Sequence, residues 1–126
     1  MSKIDQTTNI KSLRTLCVIS FSTADYQKFS LLAEKTDNFY PKLIQGNDIK
    51  PNIAVASYPK DSINKITDFF SQTKKEHSNC LNILFYQNEF DAKNIINFFN
   101  ENVDVIINQQ IKTLPKNLIE DLNFIV

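Results

Sequence analysis

Residues 51–59 read Pro51-Asn52-Ile53-Ala54-Val55-Ala56-Ser57-Tyr58-Pro59, in which the apolar run Ile53-Ala54-Val55-Ala56 stands between two prolines. A run without polar alternation suits a strand buried on both faces, as in the middle of a parallel sheet. Proline has no N–H and a fixed φ, so it brackets such a strand. Runs of the same kind recur on both sides: Leu16-Cys17-Val18-Ile19, Leu81 to Tyr86, and Val105-Ile106-Ile107. A weaker strand is read at Lys42 to Gln45, between Pro41 and Gly46, the only glycine.

Helical patterns fill the spaces between the runs. Ser22 is placed to cap a helix over about residues 23–36, with Asp25 in its first turn and Tyr26, Phe29, Leu32 and Ala33 on one face. A second helix starts at Asp61 or Ser62 and runs to about Lys75, with Ile63, Ile66 and Phe70 as its stripe. A third opens at Asp91 and runs to about Asn102, with Ile95, Ile96, Phe99 and Val103 inward. Thr113 and Pro115 mark the start of a last helix, whose stripe is Leu118, Leu122 and Ile125. Strands alternating with helices imply βαβ units, hence an α/β fold with helices on both faces of a five-stranded parallel sheet.

At 126 residues, the chain reads as a leader over 1–12 followed by one domain over 13–126. Its formal net charge is zero, so the basic footprint of a nucleic-acid binder is missing. It lacks an apolar run long enough to span a bilayer, and Met1 to Lys11 lacks the apolar core of a signal peptide. The expectation is a cytoplasmic protein with no membrane or nucleic-acid partner, no metal and no cofactor. If the last helix runs to Val126, this could be the N-terminal part of a larger protein. Cys17 and Cys80 are too few for a metal site or a disulfide framework and read as buried small hydrophobes. The lone Gly46 leaves no glycine-rich phosphate loop.

The stretch 51–59 resembles the third strand of bacterial response-regulator receiver domains, the CheY-like family. Asn82-Ile83-Leu84-Phe85-Tyr86-Gln87-Asn88 resembles their fourth strand. Val103-Asp104-Val105-Ile106-Ile107-Asn108-Gln109-Gln110 resembles the fifth, and Leu114-Pro115-Lys116-Asn117-Leu118-Ile119-Glu120 the start of the last helix. The resemblance implies a flavodoxin-like three-layer sandwich with strand order 2-1-3-4-5. Only seven residues separate Gln45 from Ile53, so the second helix of that fold is shortened or absent.

The family's phosphotransfer positions can be carried over one by one. The acidic pair after the first strand falls on Ser20 and Ile19 or Phe21, the phosphoacceptor on Ser57, the Thr/Ser switch on Gln87, and the lysine on Gln109. The aromatic switch falls on Ile106. No reading supplies a carboxylate for Mg²⁺, since Asp25 already lies in the helix. Ser57 reads either as a target for a serine kinase or as a small residue filling a vacated pocket. His77 lies before the fourth strand, at the end of the sheet opposite Ser57. Asp48, Asp61, Glu89 and Asp91 stand near the strand ends as a conceivable metal set, though helix capping accounts for two of them.

What the resemblance implies is therefore a phosphorylation-independent pseudo-receiver in bacterial signalling. It would not be an enzyme, and would act through a protein partner or a homodimer. By analogy with receiver interfaces, Asn97, Asn100, Glu101, Asn108, Gln110 and Asn117 form the expected contact face. The alternative is a flavodoxin-like domain that binds a small ligand, or an enzyme, using the carboxyl ends of the strands.

Overall fold

The computed structural model describes residues 15–46, 50–58, 63–86, 102–108 and 110–123. In chain order these form β1 (Thr15–Ser20), α1 (Thr23–Glu34), β2 (Lys42–Gln45), β3 (Ile53–Ser57), α2 (Ile63–Glu76), β4 (Leu81–Tyr86), β5 (Val105–Asn108) and α3 (Lys116–Asn123). All strands are parallel and the sheet order is β2-β1-β3-β4-β5. The expected flavodoxin-like architecture is thus observed. The stretch expected to form the helix from Asp91 lies outside the described residues, as do the leader and Ile125.

The pleat of each strand sorts its residues between two cores. On one face Leu16, Val18, Ile53, Val55, Ile83, Phe85 and Ile107 pack under α1 and α3, against Phe29, Leu32, Leu118 and Leu122. On the other, Ala54, Ala56 and Leu84 meet Ile66 and Phe70 of α2, with Cys80 and Val103. Ile53 to Ala56 of β3 and Asn82 to Phe85 of β4 are inaccessible on both sides, as the apolar run at 53–56 implied for β3.

The crossover from β2 to β3 is short because the two strands are staggered. Gln45, the last residue of β2, and Ile53, the first of β3, both pair with Val18 of β1. A parallel crossover normally needs a dozen or more residues because it must return along a strand. Here β3 begins level with the end of β2, so the connection need not return along a strand. Gly46 N–H bonds the Val18 carbonyl at 3.1 Å, and Asn52 N–H bonds the Cys17 carbonyl at 2.9 Å. Cys17 N–H in turn donates to Asn52 Oδ1 at 2.8 Å.

At the opposite, amino end of the strands a polar knot ties three elements together. Asn82 Nδ2 donates to the Phe70 carbonyl of α2 at 3.1 Å and to the Asn102 carbonyl before β5 at 2.8 Å. Lys74 Nζ reaches the Cys80 carbonyl at 2.6 Å and Asp104 Oδ2 at 2.7 Å. His77 closes α2 here: its N–H bonds the Thr73 carbonyl and its carbonyl accepts from Cys80 N–H. It is half-buried, and it precedes β4 whereas Ser57 ends β3, so the two stand at opposite ends of the parallel sheet. Cys17 and Cys80 are both buried, and neither is in a disulfide. Burial raises both thiols, Cys80 to about 12, so neither offers a thiolate nucleophile at neutral pH.

Candidate functional site at the carboxyl ends of the strands

In an open α/β sheet, ligands sit beyond the carboxyl ends of the strands where the order reverses, here between β1 and β3. β1 ends at Ser20, on the α1 side of the sheet, and Phe21 continues the ladder by donating its N–H to the Val55 carbonyl at 3.0 Å. Alternation sends Phe21 to the other face. Its ring packs edge-on against Phe69 of α2, centroids 5.8 Å apart, and Phe69 leans on buried Phe70 at 5.4 Å. Phe21 stays 39% exposed, so one of the positions onto which the resemblance carries a metal-binding acid holds a half-open aromatic ring.

Ser57 closes β3 on the α1 side. Its Oγ donates to Asp25 Oδ1 at 2.6 Å. Asp25 is only 6% exposed. Ser20, Ile19 and Phe21 supply no carboxylate, but Asp25, read in the sequence only as a first-turn residue of the helix, brings one onto Ser57. Ser22 caps α1 and its hydroxyl accepts from Asp25 N–H at 3.3 Å, which fixes the first turn above the sheet. Helical side chains tilt toward the N-terminus, so a residue three positions after the cap leans back over the strand end. The positive end of the helix dipole favours the carboxylate there.

A cation also comes from α1. Lys28 Nζ lies 5.6 Å from the centre of the Phe85 ring, and Phe85 is the β4 partner of Ser57. The resemblance had pointed to Gln109 as the residue in the lysine position, and no spacing rule pointed to Lys28. The sequence signal, available in hindsight, is the Asp25–Lys28 spacing on the first turns of a capped helix.

Gln87 and Gln109 lie outside the described residues, as do Asn97, Asn100 and Glu101 of the expected interface and the acids Asp48, Asp61, Glu89 and Asp91. Gln110 and Asn117 are exposed. Asn108 is differently employed: its Oδ1 accepts from Gln110 N–H at 2.8 Å, an Asx turn that shapes the loop after β5. Ile106 packs half-buried against the α2-side core. Among the described residues no group of three His, Cys, Asp or Glu is gathered to hold a metal, and no helix is long and apolar enough to cross a membrane.

Breaking the Asp25–Ser57 bond should cost little but measurably. Ser57→Ala leaves the carboxylate without its donor and is expected to lower stability by about 1–2 kcal/mol, read from urea unfolding. Ser57→Asp, which restores the acid type expected at that position in a receiver, sets two carboxylates together and should be less stable than Ser57→Ala at neutral pH. Equal stability of the two variants would contradict this geometry.

No protein-family model matches the chain, and no curated protein matches it. Solved structures resemble it in fold. A protein assigned to pilus assembly (CpaE) from Burkholderia thailandensis superposes with a TM-score of 0.61 at 9% identity, covering 87% of this chain and 95% of that one. A pilus assembly-related protein from Burkholderia pseudomallei gives 0.54 at 9% identity, with 89% and 88% covered. A CheY-like response-regulator receiver domain protein from Methanospirillum hungatei gives 0.51 at 14% identity, with 87% and 90% covered. The receiver-like fold read from the strand runs is thereby shown.

Proposed function

We propose that this chain is a non-catalytic pseudo-receiver, a receiver-type domain that works by binding a protein partner rather than by accepting a phosphoryl group. The observation that carries the reading is the bond from Ser57 Oγ to Asp25 Oδ1. The residue in the acceptor position is a hydroxyl already committed to the pocket's one described carboxylate. That carboxylate is turned onto Ser57 rather than grouped with a second acid, whereas Mg²⁺ sites for phosphoryl transfer are usually anchored by carboxylates. A serine nucleophile is most often activated by histidine, and the sole histidine stands at the other end of the sheet; the group that takes the Ser57 hydroxyl hydrogen bond is the Asp25 carboxylate, a weaker base than imidazole. The fold likeness to a receiver domain supports a signalling origin, and the likeness to two proteins of pilus assembly is compatible with a docking role in a larger assembly.

The test is an NMR titration of the isotope-labelled chain with Mg²⁺ and then beryllofluoride, a phosphoryl mimic. The expected spectrum is unchanged around Ser20, Asp25 and Ser57. Saturable shifts clustered on those residues would mean a working, unconventional receiver and would end this reading.

A further inference from the structure

The outer edge of the sheet at β2 carries unused hydrogen-bonding groups. Gly46 N–H bonds the Val18 carbonyl of β1, so Gly46, and by alternation Ile44 and Lys42, turn their backbone groups toward β1. The N–H and C=O groups of Leu43 and Gln45 therefore point off the sheet, and none of them has a partner among the described residues. The side chains alternate too. Leu43 packs against the α1-side core, whereas Ile44 is half-exposed and belongs to neither core. The core under α2 includes no residue of β2, and the short step from Gln45 to Ile53 leaves little length for the crossover helix of a receiver. An unpaired edge with an apolar side chain beside it is a template for another strand.

The edge is complementary to itself in one register. With Ile44 on a two-fold axis and the strands antiparallel, Leu43 stands opposite the partner's Gln45, and both turn their backbone groups to each other. Each such pair exchanges two hydrogen bonds, and Ile44 meets the partner's Ile44 at the closer spacing of a non-bonded pair. Sliding the axis to Leu43 would set Gln45 against the partner's Pro41, which has no N–H to give. Charge does not oppose the contact. Lys42 falls across the partner's Gly46, and the two lysines stand about 13 Å apart along the strands, farther than the screening length at physiological salt. On the α1 side a pocket of about 250 Å³ opens beside Leu43, lined by Ser30 and Glu34 as well as Phe39. The partner's Gln45, directly across from Leu43, stands at its mouth with Glu34 as an acceptor for its amide.

We infer that two copies of this chain pair antiparallel through β2, bonded by Leu43 and Gln45 with Ile44 on the two-fold axis, so that two five-stranded sheets become one continuous sheet. The inference rests on the reading of this chain as a protein-binding module and names a second copy as the partner. It moves the contact from the β5 side, expected by analogy with receivers, to the opposite edge of the sheet. A strand of four residues buries less than a standard interface, so the dimer is a weak one, with a Kd of about 10–100 µM.

Sedimentation velocity of the full chain across that range should show a concentration-dependent dimer. Gln45→Pro deletes an N–H that points away from β1, so each strand of the dimer loses a bond while the β1 ladder loses none. It should weaken dimerisation by about tenfold or more with thermal unfolding little changed. A pair of cysteine variants reads the register itself. Diamide should join Ile44→Cys chains, because the axis sets the two residues side by side, whereas Lys42→Cys chains, about 13 Å apart, should stay single. The native Cys17 and Cys80 are buried and stay silent. A chain that remains monomeric overturns the inference. So does a dimer indifferent to Gln45→Pro, or one in which Lys42→Cys cross-links as readily as Ile44→Cys, since either assigns the contact to another face. Should Gln45→Pro fail to fold, the cross-linking pair decides. The two readings fail separately. A β2 dimer that answers beryllofluoride loses only the pseudo-receiver reading, and a monomer inert to beryllofluoride loses only the β2 contact.

Discussion

Gly46→Ala is expected to lower the stability of the protein by about 3 kcal/mol, the upper end of what overpacking costs. A Cβ at this position would stand 2.1 Å from Cys17 Sγ, well inside van der Waals contact. Glycine is required here for close approach rather than for backbone freedom, because its φ is not in the left-handed region. The sulfur has little room to retreat: Cys17 is 3% exposed, and its N–H and carbonyl are both bonded to Asn52. Nor can the crossover easily lift away, because Gly46 N–H is bonded to the Val18 carbonyl and the short connection from β2 to β3 depends on that contact. Cys17→Ala removes the clashing atom. In the double variant, Gly46→Ala should cost far less than it does alone, a coupling that a double-mutant cycle in urea reads directly. Strictly additive losses would show that the clash is relieved some other way, and wild-type stability of Gly46→Ala would show that the crossover does not lie on Cys17.

The same crossover marks the boundary of what could be read from the residues. Short apolar runs located β1, β3, β4 and β5, with prolines bracketing β3, because a strand buried on both faces has no polar alternation to confuse with a surface helix. Ser22 announced the start of α1 and performs that capping role. The stagger that lets seven residues join β2 to β3 was not legible, since it depends on which residues pair across strands and not on their identity. Asp25 was missed for a related reason. Three positions after a cap, an acid is sufficiently explained by the helix dipole, and only the placement of α1 over β3 reveals that it also reaches Ser57. Phe21 and Phe69 likewise meet only through the fold. Local propensity speaks for elements; sites are made where elements converge, and functional positions are where that convergence departs from the local reading.

Asn82→Asp is expected to be the most damaging of these substitutions, at about 3–5 kcal/mol at neutral pH, because it leaves a buried charge without a partner. Asn82 is wholly buried in β4, and its Nδ2 serves two carbonyls at once, Phe70 of α2 and Asn102 before β5. Both contacts need a donor. A carboxylate of the same shape offers only acceptors and would face two carbonyl oxygens in a site that excludes water. Its Oδ1 already has no partner among the described residues, so nothing waits there to stabilise added negative charge. Neighbouring Lys74 does not relieve it, being engaged with Asp104 and the Cys80 carbonyl. The pH dependence follows with a definite sign. Burial raises the folded pKa of the new carboxyl above its unfolded value of about 3.9. The variant is therefore closest to wild type below about pH 4, where the neutral acid keeps an O–H to donate, and it loses stability as pH rises toward the folded pKa. Asn82→Leu removes the donor without adding charge, so its smaller deficit of about 2–3 kcal/mol should be flat across the same range. Unfolding curves at acid and neutral pH separate the two. A pH-independent deficit for Asn82→Asp would mean that water or a cation reaches this end of the sheet, and that the knot joining α2, β4 and β5 is looser than its hydrogen bonds imply.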